Sequence, residues 1–192
     1  MNEFSDIEIV GAKLKLSNEK CIFVFCTYIP PSRSNNRHAY DKIVMAIKSS
    51  GISDNDIVIL LGDFNLPNIK YKYNEENKMV PYNFKPSFTT EFFDDINSMG
   101  IRQVNNIENH KNNVLDLIFL NDELECDLNV CTNPLVKIDK PHPPIECSIY
   151  NVIPKKVILN RHDRAKIVFD FKKTDFAANY RNMFHFNEFR CK

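Results

Sequence analysis

No tryptophan occurs in the 192 residues, but fifteen Phe and seven Tyr supply the bulk a core needs, so that absence excludes nothing. No apolar run approaches the length of a membrane span, which excludes a spanning helix. The N-terminus also lacks the basic-then-apolar pattern of a secretory leader. The two absences together give an intracellular, soluble protein, nuclear or cytoplasmic, as the expectation. Cys-x-x-Cys pairs are missing too. The six cysteines, Cys21, Cys26, Cys126, Cys131, Cys147 and Cys191, fall mostly within strand-like runs and read as reduced core residues rather than a metal or disulfide framework. Net charge is absent, with 25 Lys+Arg against 25 Asp+Glu, but the balance is uneven. Residues 1–150 hold 15 basic and 21 acidic side chains, while 151–192 hold 10 and 4. A global nucleic-acid footprint on the main part is thereby excluded, and any phosphate contact is local or carried by the basic tail.

What is present suits one domain with a tail, since 43% hydrophobic residues can build a sizeable core. The strongest stretch is Ile57 to Asn65, Ile-Val-Ile-Leu-Leu-Gly-Asp-Phe-Asn. Five aliphatic residues in a row fit a strand buried on both faces, and Gly62 can turn the chain so that Asp63 and Asn65 lie just past the strand end. Before it, Cys21 to Tyr28 reads as a central strand stopped by Pro30 and Pro31. Ile7, Ile9, Leu14 and Leu16 around Gly11 suggest a hairpin or two short strands. Tyr40, Ile43, Val44 and Ile47 form an i, i+3, i+4, i+7 stripe, which predicts a helix ended by Gly51.

Residues 66–87, with Pro67, Pro81 and Pro86, show no period and read as a long surface loop. A second helix is expected over Thr90 to Met99, capped by Thr89 or Thr90 and closed by Gly100, with Phe92, Ile96 and Met99 inward. Strands are expected over Val114 to Leu120, Leu128 to Cys131 and Ile145 to Val152. The core is expected to end there. Beyond it a basic segment is interrupted by the stretch Lys166 to Phe171 and a weak helix with Phe176, Tyr180 and Phe184.

Four features carry possible chemistry. Gly62-Asp63-Phe64-Asn65 places a carboxylate and an amide at a strand end, although Asp and Asn also serve such turns by bonding their own backbone. Asp116 lies within Val-Leu-Asp-Leu-Ile-Phe-Leu, where an ionised carboxylate among aliphatics requires a partner, either a structural salt bridge or a histidine whose tautomer it fixes. Asp139-Lys140-Pro141-His142-Pro143-Pro144 is a stiff loop around one histidine, whose plainer reading is a solvated surface group. Tyr28 ends a strand, a place equally suited to a rim aromatic with its hydroxyl in water.

In this order and spacing, Tyr28-x-Pro30, Gly-Asp-Phe-Asn at 62–65, Leu-Asp-Leu-Ile at 115–118, then Asp139 and His142-Pro-Pro, the chain resembles the endonuclease/exonuclease/phosphatase (DNase I-like) superfamily. Within it, residues 5 to about 150 are similar to the apurinic-type endonuclease domain of insect non-LTR retrotransposons. The resemblance implies an α/β two-sheet sandwich that cleaves a phosphodiester of DNA with Mg²⁺ and without a small-molecule cofactor or membrane. It divides the chain into a domain over 1–152 and, over 153–192, a basic linker toward a reverse transcriptase domain. Carried over, Asp63 orients or deprotonates the attacking water and Asn65 holds a phosphate oxygen. Tyr28 stabilises the developing phosphorane charge, His142 contacts the scissile phosphate, and Asp116 orients its imidazole.

Two departures accompany the resemblance. The family's domain opens with two strands carrying an Asn and a metal-binding Glu, and nothing before Tyr28 matches them; Glu3 and Glu8 lack the surrounding motif. The resemblance therefore implies a domain incomplete at its N-terminus. Without the principal Glu, Asp63 and Asp139 alone make a poor magnesium site. The family's Asp beside the histidine is Pro141 here, with Asp139 three residues before His142 in its stead. Two readings follow. One is a Mg²⁺-dependent DNA-nicking endonuclease, the other a catalytically dead remnant that binds nucleic acid through its basic tail. The exposed edges left by missing strands would make the protein self-associate.

Overall fold

The computed structural model describes residues 8–16, 20–76, 78–135, 137–150 and 152. Five strands form one sheet in the order β1 (Glu8–Lys15), β2 (Cys21–Tyr28), β3 (Ile57–Asp63), β7 (Asp116–Asn121) and β6 (Ile101–Gln103). Only β2 and β3 run parallel, and the crossover between them carries helix α1 (Arg37–Lys48), as a parallel pair requires. Helix α2 (Phe88–Ser98) precedes β6. Two further pairs stand apart, β4 (Lys70–Tyr73) with β5 (Met79–Tyr82), and β8 (Cys126–Val130) with β9 (Ile145–Ile149).

The pleat sorts the core into two layers. Register aligns Phe23 with Val58 and Phe25 with Leu60, which faces Phe119 in turn, so these side chains share one face. They pack with Tyr40, Ile43 and Ile47 of α1 and with Phe92, Phe93 and Ile96 of α2. The opposite face carries Ile22, Ile57, Ile59, Leu61, Ile118 and Leu120, which pack with Cys126, Leu128, Ile145, Cys147 and Ile149 of the β8–β9 sheet. The architecture is an α/β sandwich, with helices on one side of the large sheet and a smaller sheet on the other.

Several elements differ from the sequence expectation. The hairpin about Gly11 is one continuous strand, β1, in which Gly11 pairs with Phe25 in mid-ladder. Because no turn intervenes, Ile9 falls on the helix side while Leu14 falls on the other and is 53% exposed. The expected loop 66–87 holds the β4–β5 hairpin. Its turn is closed by the Asn74 side chain, which accepts from the Glu76 and Lys78 amides. Lysines and prolines hid that hairpin, and Pro81 is tolerated because β5 has a single partner. Helix α2 begins at Phe88, after Ser87, and Thr89 bonds the Pro86 carbonyl at 2.6 Å instead of capping. Strand β6 was not foreseen; three residues are too few to show a period. Glu3, Ile7, the stretch 166–171, the helix around Phe176, Tyr180 and Phe184, and the tail 153–192 lie outside the described residues.

Candidate active site

Three neighbouring strands deliver one row of side chains. Tyr28 pairs with Asp63 across β2–β3, and Asp63 pairs with Asp116 across β3–β7, so all three stand on the face toward the smaller sheet. The approach of β3 to β2 depends on Gly62. It lies inside the strand at φ +147, not at a turn, and a Cβ there would meet the Thr27 carbonyl oxygen at 1.8 Å. The turn falls three residues later, at Asn65. The wholly buried Phe64 packs against Phe92 and Phe119, its amide donates to the Leu115 carbonyl, and Asn65 takes φ +50. The Tyr40 hydroxyl, on α1, shares its proton between the Phe64 and Ser34 carbonyls at 3.0 and 3.1 Å.

This turn aims Asn65 back at Asp63. The Asn65 amide donates to Asp63 Oδ1 at 3.0 Å, and its Nδ2 donates to Asp63 Oδ2 and to the Ile29 carbonyl, both at 2.7 Å. Two acceptors demand the NH₂ end on this side, so both side-chain N–H groups are used. In this arrangement Asn65 orients Asp63, and it reaches a phosphate oxygen only by releasing one of those bonds.

His142 completes the group. Its Nδ1 lies 3.0 Å from Asp116 Oδ2, and its Nε2 lies 3.7 Å from Asp63 Oδ2. Facing a carboxylate, Nδ1 carries the proton, so Asp116 sets the ring's tautomer and orientation. Asp63, Asp116 and His142 offer ligand atoms within 4.8 Å of one another. Asp139 is not in this group; it is exposed, and its carbonyl accepts the His142 amide at 3.2 Å. Asp139 therefore stands outside the cluster formed by Asp63, Asp116 and His142. Tyr28 is 41% exposed beside Asp63. Glu8 pairs with Tyr28 and so extends the row by a strand, about 10 Å from Asp63 at the usual strand spacing.

Protonation follows from these contacts. Burial pushes the Asp63 carboxyl up, opposed by the Asn65 bonds and His142. Burial likewise raises Asp116, opposed by the His142 hydrogen bond and charge. For His142, burial disfavours the cation, but Asp116, then Asp63 and Asp139, outweigh it and raise the imidazole above its ordinary value. The contacts thus favour the protonated form of a ring held between two carboxylates.

The donor set suits a hard divalent cation held loosely. Each Asp63 oxygen accepts one hydrogen bond from Asn65 and keeps lone-pair capacity, and Mg²⁺ commonly binds through one or two carboxylates with water and phosphate completing the shell. An ion drawing on all three groups would have to break the Asp116–His142 bond, so Asp63 is the fitting anchor.

Residues that sequence patterns did not single out for the site include Tyr40, Asn105, whose Nδ2 holds the Asp116 carbonyl at 2.6 Å, and His110, whose ring contacts the Lys140 carbonyl. Tyr40 was visible only as part of a helix stripe. Asn105 and His110 had no local signal.

No curated protein matches this sequence. Among solved structures, a D. rerio TDP2 humanized by 14 mutations is similar at 15% identity and TM-score 0.42, covering 74% of this chain and 58% of that one. A Bacteroides thetaiotaomicron mannosyl-6-phosphatase matches at 15% identity and TM-score 0.42, with 73% and 56% covered. An endonuclease/exonuclease/phosphatase family protein from the same organism matches at 15% identity and TM-score 0.40, with 73% and 50% covered. The chain therefore spans little more than half the length of these structures. The family described as endonuclease-reverse transcriptase matches residues 22–146, which takes in Tyr28, Asp63, Asn65, Asp116 and His142. On that match, spanning both central strands and every member of the polar cluster, the chain belongs to the endonuclease-reverse transcriptase family of the endonuclease/exonuclease/phosphatase superfamily.

Proposed function

We propose that this chain hydrolyses phosphodiesters and nicks DNA as the Mg²⁺-dependent endonuclease module of a retrotransposon-type reverse transcriptase. The observation that carries it is the cluster of one oriented carboxylate, Asp63 at the end of β3, with a carboxylate-held imidazole, His142, on a loop. Asp63 takes a proton from water as its oxygen attacks phosphorus. His142, whose protonated form the neighbouring carboxylates favour, faces the phosphate oxygens where negative charge grows, and Asp116 holds the ring in place. The bond from phosphorus to the leaving oxygen breaks as the bond to the water oxygen forms, and the leaving oxygen takes its proton from solvent. Asp63 would hold a divalent ion, whose positive charge would offset the negative charge that develops on the phosphate. Tyr28, next to Asp63 in the same row, is assigned the donation of its hydroxyl to the same phosphate.

Nicking of supercoiled plasmid DNA with Mg²⁺ tests this. Chelator-sensitive nicking is expected, with His142→Ala lowering the rate by about 10²–10⁴-fold, the usual contribution of one acid–base group. An absence of nicking at every protein concentration would leave the second reading, a remnant whose activity is limited to binding nucleic acid. The exposed position of Asp139, outside the cluster, favours that reading over a tight magnesium site.

A further inference from the structure

The loop that carries His142 has few means of holding itself. Pro141, Pro143 and Pro144 have no amide hydrogen, so half of residues 139–144 cannot donate a backbone bond. Two backbone bonds pin it, from the His142 amide to the Asp139 carbonyl at 3.2 Å and from the Cys131 amide to the Pro144 carbonyl at 2.8 Å. Between these points the Lys140 carbonyl meets His110 Nδ1 at 2.9 Å, from a loop 30 residues earlier. A carbonyl only accepts, so Nδ1 of His110 carries the proton and Nε2 is left toward solvent.

The loop that offers His110 is itself braced. The buried Asn109 side chain accepts from the Lys111 and Asn113 amides at 2.9 and 3.2 Å, and the Asn109 backbone N–H donates to the Asn113 carbonyl. Lys70 adds bonds to the Asn112 carbonyl and Asn113 Oδ1 at 2.8 and 3.1 Å. One end of the His110 contact is thus rigid, and the other lies two residues before His142.

We propose that His110 is a positioning residue that latches the His142 loop through Nδ1–H donated to the Lys140 carbonyl, setting the height of the His142 ring against Asp116 and Asp63. The inference rests on the reading of His142 as the group that meets the phosphate, but the latch is measurable without it. Asn places an amide N–H close to the Nδ1 position, so His110→Asn keeps the donor while His110→Ala removes it.

In imidazole-selective ¹H–¹⁵N spectra near neutral pH, His110 is expected in the Nδ1–H form. The His142 ring signals should be sharp in the native chain and in His110→Asn, and broadened or doubled in His110→Ala. In plasmid nicking, His110→Ala should lower kcat about tenfold with KM changed less than about twofold, and His110→Asn should recover most of it, as a misplacement that spares binding does. An Nε2–H tautomer at His110, unchanged His142 signals in His110→Ala, or equal loss in His110→Asn would overturn the latch. If the native chain does not nick, the proposed function fails and the spectra still decide the latch.

Discussion

Asp63, Asp116 and His142 hold one another's charge, and each contact changes what the next can do. Burial alone would make both carboxylates reluctant to ionise, and the imidazole between them offsets that cost. The sign of the pH response follows. His142 is raised, so a reaction that needs the imidazolium extends to higher pH than an ordinary histidine allows and is lost as pH rises through the elevated value; Asp63 must be ionised, so activity falls as pH drops through its own raised value. A bell-shaped profile is expected. Asp116→Asn removes the contact that most favours the imidazolium, so its alkaline limb should move to lower pH while kcat drops by about 10–10²-fold, read from nicking rates across pH. An alkaline limb that stays in place would show that His142 is not the group being titrated. All three residues, with Asn65 and Tyr28, were legible from motif order. What motif order does not show is that both Asn65 side-chain N–H groups are engaged, by Asp63 and the Ile29 carbonyl.

At the scale of elements, β3 does most to build the site. Its aliphatic run was legible because a strand buried on both faces needs nothing but apolar residues. What Gly62 does was not legible. The sequence suggests a turn, whereas the structure keeps it in the ladder and uses its missing Cβ to let β2 approach. Gly62→Ala combines a backbone conformation that L side chains avoid with a collision against the Thr27 backbone, and should cost about 3–5 kcal/mol in urea unfolding or prevent folding outright. A loss below about 1 kcal/mol would mean that β2 can move aside. The β4–β5 hairpin and the three-residue β6 escaped notice because neither carries a hydrophobic period; their pairing, not their composition, makes them strands.

Across the whole sandwich, cover is uneven. The small β8–β9 sheet packs over β3 and β7, while on the same face of β1 and β2 Val10, Leu14 and Cys26 stay exposed, and the outer edge of β1 pairs with no strand among the described residues. An eight-residue open edge beside an apolar face invites pairing between molecules. The protein should self-associate at tens of micromolar, an order of magnitude typical of such surfaces, and Val10→Lys with Leu14→Lys should restore a monomer in light scattering while leaving the thermal unfolding midpoint nearly unchanged. A monodisperse native chain at that concentration would refute the idea. The sequence by itself determined the α/β class, the central strands, helix α1 and the order of the polar motifs, because apolar period and turn chemistry are local properties. Tertiary structure alone decided which of those motifs meet. Register between strands placed Tyr28, Asp63 and Asp116 in one row, and loop closure brought His142 to Asp116 while keeping Asp139 away. Such contacts join residues 26 to 79 positions apart, and no local pattern encodes the distance between them.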